Sequence, residues 1–153
     1  MSLYPETVER AVVAAVDHYS RVLTAALPTY DRQTESPIEL AMFVSLIALS
    51  PGENDLQIMP QVQIGQYRVD FLLQLGATAL VVECDGHDYH ERTKQQAAAD
   101  RSRDRAMLEA GYHVMRFTGS EIWKDALACA RQALNYLEDA HYRAAWSKGA
   151  IEP

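Results

Sequence analysis

Cysteine is nearly absent from the 153 residues, and Cys84 and Cys129 form no recognisable metal or redox spacing. Both thiols read as small buried hydrophobes in a reducing, cytoplasmic setting. Long apolar runs are missing too. The longest, Leu40 to Leu49, is half the length of a membrane span, so neither a transmembrane helix nor a membrane partner is expected. The N-terminus lacks a basic segment followed by an apolar core and a small-residue cleavage site, so secretion is not expected. Nor is there an excess of positive charge: 14 Lys and Arg stand against 21 Asp and Glu, for a net −7, which argues against a passive nucleic-acid coat protein. Internal repeats, low-complexity stretches and dividing linkers are also lacking. What remains is 48% hydrophobic and 23% charged, one folded domain over 1–153 that buries about two-thirds of its unfolded surface.

Residues 5–26 carry Val8, Val12, Val16 and Leu23 at helical spacing and are expected to stop before Pro28. Ser36-Pro37-Ile38-Glu39 opens a second helix, with Ser36 as N-cap, Pro37 in the first turn and Glu39 as the returning partner of a capping box; it runs to about Leu49. The period then changes. Leu56 to Ile64 reads as a strand that Pro60 marks as an edge or a bulge. Gly65-Gln66 turns the chain into Tyr67–Leu75 and Thr78–Cys84, a hairpin around Gly76-Ala77. A helix over 93–110 ends before Gly111, Tyr112–Phe117 is a short strand, and a last helix runs from Gly119-Ser120 to about Arg143. The order α-α-β-β-β-α-β-α suits an α/β fold, a mixed sheet with helices on both faces.

A two-residue loop at Gly76-Ala77 sets the hairpin register. Leu73 then faces Leu80, Phe71 faces Val82 and Val69 faces Cys84 on one apolar side. On the other side Leu72 meets Val81, Asp70 meets Glu83 and Arg68 meets Asp85. Opposed Cβ atoms lie about 4.5–5.5 Å apart, so Asp70 and Glu83 repel unless a shared proton, a nearby cation or a metal ion compensates. Magnesium suits such a site, because it asks for one or two carboxylates plus water and phosphate oxygens. Alternatively, Arg68 neutralises the acids through Asp85.

Glu39 in an early helix, Asp70 in Tyr67-Arg68-Val69-Asp70-Phe71 and Glu83 in Val81-Val82-Glu83-Cys84-Asp85-Gly86 resemble the PD-(D/E)XK restriction-endonuclease-like superfamily. The likeness is closest to its branch near the very-short-patch repair endonucleases. There, Glu-x-Asp-Gly is followed by a histidine (here His87 or His90), then an Asp-x-x-Arg helix (Asp100 and Arg103), then Gly111-Tyr112-His113-Val114-Met115-Arg116-Phe117. The likeness covers about residues 35–137, leaving an added N-terminal helix and a short C-terminal tail. It implies a restriction-endonuclease-like fold and a DNA endonuclease dependent on Mg2+ or Mn2+. Asp70 and Glu83 would hold the metal, with Glu39 and Asp85 as further catalytic carboxylates. Where the superfamily has lysine, two residues after the glutamate, this chain has Asp85; Lys94 or Arg103 would have to reach in from the helix. A catalytically silent nucleic-acid-binding or protein-interaction domain of the same fold is the alternative.

The one net basic segment, 91–116, carries Arg92, Lys94, Arg101, Arg103, Arg105 and Arg116, and it is where nucleic acid would bind. Lys94, Arg101, Arg103 and Arg116, with His87 and His90, are the expected substrate contacts. Asp100–Arg103 also fits a surface ion pair, and Arg116, ending a buried strand, needs an acid such as Glu83 or Asp100. Zinc fits poorly, since Cys84 points away from Glu83 and Asp85. Trp123 reads as core packing, and Tyr89 and Tyr112 are aromatics available for base stacking. Homo-oligomerisation stays open.

Overall fold

A computed structural model describes residues 6–50, 55–86 and 94–147, with side chains from Ala98 onward in the last segment. Eight elements follow in the expected order: α1 (Glu6–Asp31), α2 (Pro37–Leu49), β1 (Leu56–Ile64), β2 (Tyr67–Leu75), β3 (Thr78–Asp85), α3 (Lys94–Glu109), β4 (His113–Thr118) and α4 (Gly119–Ser147). The strands form one mixed sheet, β1-β2-β3-β4, antiparallel except for the parallel β3–β4 pair that α3 connects. A parallel neighbour requires a crossover, and α3 supplies it on one face of the sheet. Among the described residues no helix is long and apolar enough to cross a membrane.

Side-chain alternation along the strands divides the core in two. Phe71, Leu73, Leu80, Val82 and Cys84 pack with Ile38, Met42, Phe43 and Leu46 of α2 and with Ile122, Ala130, Ala133 and Leu137 of α4. Leu72 and Val81 point the other way and meet Met107 of α3. Each fully buried Leu, Val or Phe contributes about 1.5–3 kcal/mol, so these faces fix which side of the hairpin looks toward which helix.

Local signals account for most boundaries. Ser36 caps α2, its Oγ accepting from Glu39 N at 3.3 Å, with Pro37 in the first turn. Gly76 turns the β2–β3 hairpin at φ +57°. Gly111, at φ +87°, ends α3 in a Schellman arrangement, with Tyr112 N donating to Met107 O and Gly111 N to Leu108 O. Thr118 and Glu121 form a capping box ahead of α4.

Three expectations are corrected. Helix α1 does not stop before Pro28 but continues to Asp31. Tyr30 packs edge-on against Phe43 at 5.0 Å, and that contact holds the last turn although proline removes one of its hydrogen bonds. Trp123 is 68% exposed and not core. Its neighbour Ile122 takes the buried position, and Asp125 leaves helical geometry to cap the rest of α4, accepting from Ala128 N at 2.9 Å. Val69 lies with Leu72 and Val81, not on the side of Phe71 and Cys84. Both β1 and β2 change facing near Pro60-Gln61, where Gln61 has a positive φ of 53°: Ile58 and Phe71 belong to one cluster, Val62 and Val69 to the other.

Candidate active site

The β2–β3 ladder has the expected register, with Leu73 opposite Leu80 and Phe71 opposite Val82. It ends there. β2 stays paired with β1 down to Tyr67 and β3 with β4 up to Asp85, so the middle strands part beyond Phe71 and Val82. Asp70 and Glu83 are therefore not a laddered pair. They sit where the sheet opens, and Asp70 Oδ2 accepts the Cys84 backbone N–H at 2.7 Å. The charges still feel each other. Burial pushes the Glu83 carboxyl up to about 7, with Asp70 adding to the push and Arg103 and Arg116 opposing it. Burial also raises Asp70, against the Cys84 hydrogen bond and with help from Glu39.

Arg103 of α3 bridges the opening. Its Nη2 donates to Glu83 Oε1 at 2.7 Å and also to the Arg68 carbonyl, and its guanidinium lies 5.8 Å from the centre of the Tyr67 ring. Of Lys94 and Arg103, the two helix cations considered for this place, Arg103 is the one seen beside Glu83. Arg68 does not neutralise the cluster through Asp85; it pairs with Glu35 in the α1–α2 connection. Arg116 lies beside Glu83 in the β3–β4 register, yet it pairs with Asp104 at 2.6 Å and Asp85 at 3.4 Å, not with Glu83 or Asp100.

Glu39 is buried and serves its own helix end. Its Oε1 accepts from Ser36 Oγ at 2.7 Å and its Oε2 from Glu35 N at 2.9 Å and Gln61 Nε2 at 2.8 Å. The capping role is thus met in full while the carboxylate remains near enough to Asp70 to raise it. Arg101 is exposed on α3. Lys94 opens α3, but its side chain, like His87, His90, Tyr89 and Arg92, lies outside the described residues. Asp104, Gln61 and Tyr67 are the site neighbours that the sequence reading missed. Asp104 had a signal, since it follows Arg103 on a helix and a buried Arg116 requires an acid; Gln61 and Tyr67 had none beyond their nearness to Pro60 and Asp70.

Among the described residues, no three His, Cys, Asp or Glu side chains gather closely enough to hold a metal ion together. Two carboxylates remain as a donor set. Asp70 Oδ1 and Glu83 Oε2 receive no hydrogen bond from the described residues, and a divalent cation held there would relieve the burden that raises both groups. That set fits magnesium, which accepts one or two carboxylates, and does not fit a tetrahedral zinc site.

The family model REase_MTES_1575, of a restriction-endonuclease-like family, matches residues 43–137, a span that includes Asp70, Glu83, Arg103 and Arg116. No curated protein and no solved structure matches the chain significantly.

Proposed function

The chain belongs to the restriction-endonuclease-like family REase_MTES_1575, and from that premise we propose that it is a metal-dependent endonuclease that hydrolyses phosphodiester bonds in DNA. The observation that carries this reading is the pair of mutually perturbed carboxylates, half-buried Asp70 and buried Glu83, at the mouth where β2 and β3 separate. In our reading the motif order from Glu39 to Phe117 sets the chain near the very-short-patch repair branch.

Asp70 Oδ1 and Glu83 Oε2 would hold Mg2+ or Mn2+. Such an ion, when bound, supplies Lewis-acid activation of water and stabilises charge on the phosphoryl oxygens. The protein's own work is to keep the two acids in place. The Cys84 N–H fixes the rotamer of Asp70, Glu39 anchors the start of α2 and adds negative charge behind Asp70, and Arg116 holds Asp85 at the end of β3. Arg101, with Lys94 on the same helix, would contact the DNA backbone as a source of positive charge in a chain of net −7. The test is magnesium-dependent nicking of supercoiled plasmid, with loss of at least 100-fold in Asp70→Ala and in Glu83→Ala. Nicking that survives either substitution overturns the proposal.

The silent-domain reading has its own support, because Glu83 and Asp85 each already have an arginine. Calorimetry with Mg2+ or Mn2+ in the presence of DNA separates the two: a silent domain binds DNA and takes up no metal.

A further inference from the structure

We propose that Arg103 is the receptor for a DNA phosphate, and that its ion pair with Glu83 makes cation binding conditional on that phosphate; this rests on the nuclease reading above. One carboxylate oxygen of Glu83 is occupied by the Arg103 guanidinium at 2.7 Å, and the Glu83 side chain is only 5% exposed. A guanidinium and a divalent cation compete for the same buried negative charge. Holding both beside Glu83 adds cation–cation repulsion, so the resting ion pair weakens metal binding.

Arg103 is built to change partners. Its side chain is 24% exposed, against 5% for Glu83, so Arg103 is the member of the pair that solvent reaches more readily. Among the described residues its Nε is buried without a hydrogen-bond partner and its Nη2 is shared between Glu83 and the Arg68 carbonyl, which leaves donors of its five unmatched there. A phosphate presents paired oxygens that a guanidinium binds bidentately, which a single shared Nη2 contact does not match. The Tyr67 ring supports the face of the guanidinium and offers it a stable position after it leaves Glu83. In this scheme the phosphate draws Arg103 off Glu83, and the carboxylate turns to the cation. By linkage, metal and DNA strengthen each other's binding by the same factor.

The test is calorimetric titration of Mg2+ into the protein alone and into its complex with a short phosphorothioate duplex that resists cleavage, with the duplex alone as reference. The wild-type protein is expected to bind Mg2+ about tenfold or more tightly with the duplex than without it. In Arg103→Ala the duplex-free protein is expected to bind Mg2+ more tightly than wild type, and the effect of the duplex is expected to vanish. Arg103→Lys, which keeps the charge opposite Glu83 and guards against misfolding, is expected to retain part of the coupling. Equal wild-type affinities with and without duplex overturn the inference, as does weaker Mg2+ binding in Arg103→Ala; in both cases the nuclease reading stands. Absence of Mg2+ binding in every protein, with and without duplex, overturns the nuclease reading itself.

Discussion

The Asp70 carboxylate accepts the backbone N–H of Cys84 at 2.7 Å, with Asp70 one residue and Cys84 two residues past Phe71–Val82, the last β2–β3 ladder pair. A side chain thus satisfies a donor that an unbroken hairpin would pair with a strand carbonyl. The two strands can part without leaving that N–H unpaired, and the opening they make is the space in which Glu83 and Arg103 meet.

Glu83 gives stability a definite pH dependence. Its carboxyl ionises near 7 in the native protein but has an ordinary value of 4.5. Between these values the native state holds a proton that the unfolded chain has lost, so stability falls as pH rises. The penalty is absent below about 4.5 and complete above about 7, where it amounts to roughly 3 kcal/mol. Asp70, also raised, acts in the same direction. Urea midpoints in metal-free buffer are expected to drop from pH 5 to pH 8, and Glu83→Gln is expected to flatten that drop. An equal slope in the variant contradicts the assignment to Glu83.

Glu39 is expected to matter for folding apart from any chemistry. Glu39→Ala removes the acceptor for Glu35 N, Ser36 Oγ and Gln61 Nε2. The expected cost is about 1–2 kcal/mol of unfolding free energy, typical of a lost helix cap. Glu39→Gln keeps the acceptor oxygen and is expected to cost less, which equilibrium denaturation of the two variants measures.

Arg116 ties Asp85 of β3 to Asp104 of α3 and is largely buried, with 13% of its side chain exposed. Arg116→Ala leaves two acids without that cation and is expected to destabilise the protein by about 3 kcal/mol. Asp104, 41% exposed, is expected to cost about 1 kcal/mol or less when replaced by alanine. Similar losses for the two variants would contradict this ranking.

Both cysteines are buried and free, and burial raises both thiols. The thiolate is the reactive form, so the native protein is expected to resist thiol reagents and both residues to label once urea unfolds it. Rapid labelling of Cys84 in native buffer would contradict its place in the core.

Much of this architecture is written in short stretches of chain. Periodicity, the Ser36 cap, the Gly76 turn and the Gly111 stop determine the element order and the hairpin register, since each depends on contacts among residues a few positions apart. The same register brings Asp70 and Glu83 to one end of the hairpin, so the acids were legible before any fold was known. Which cation meets which acid was not. Arg68 turned to Glu35, Arg103 to Glu83, and Arg116 to Asp104 and Asp85, partners lying 12 to 33 positions away in sequence. Charge attraction has no period and fades with distance, so those pairings wait on the packing of α3 and the parting of β2 from β3. Only the assembled sheet and helices decide them.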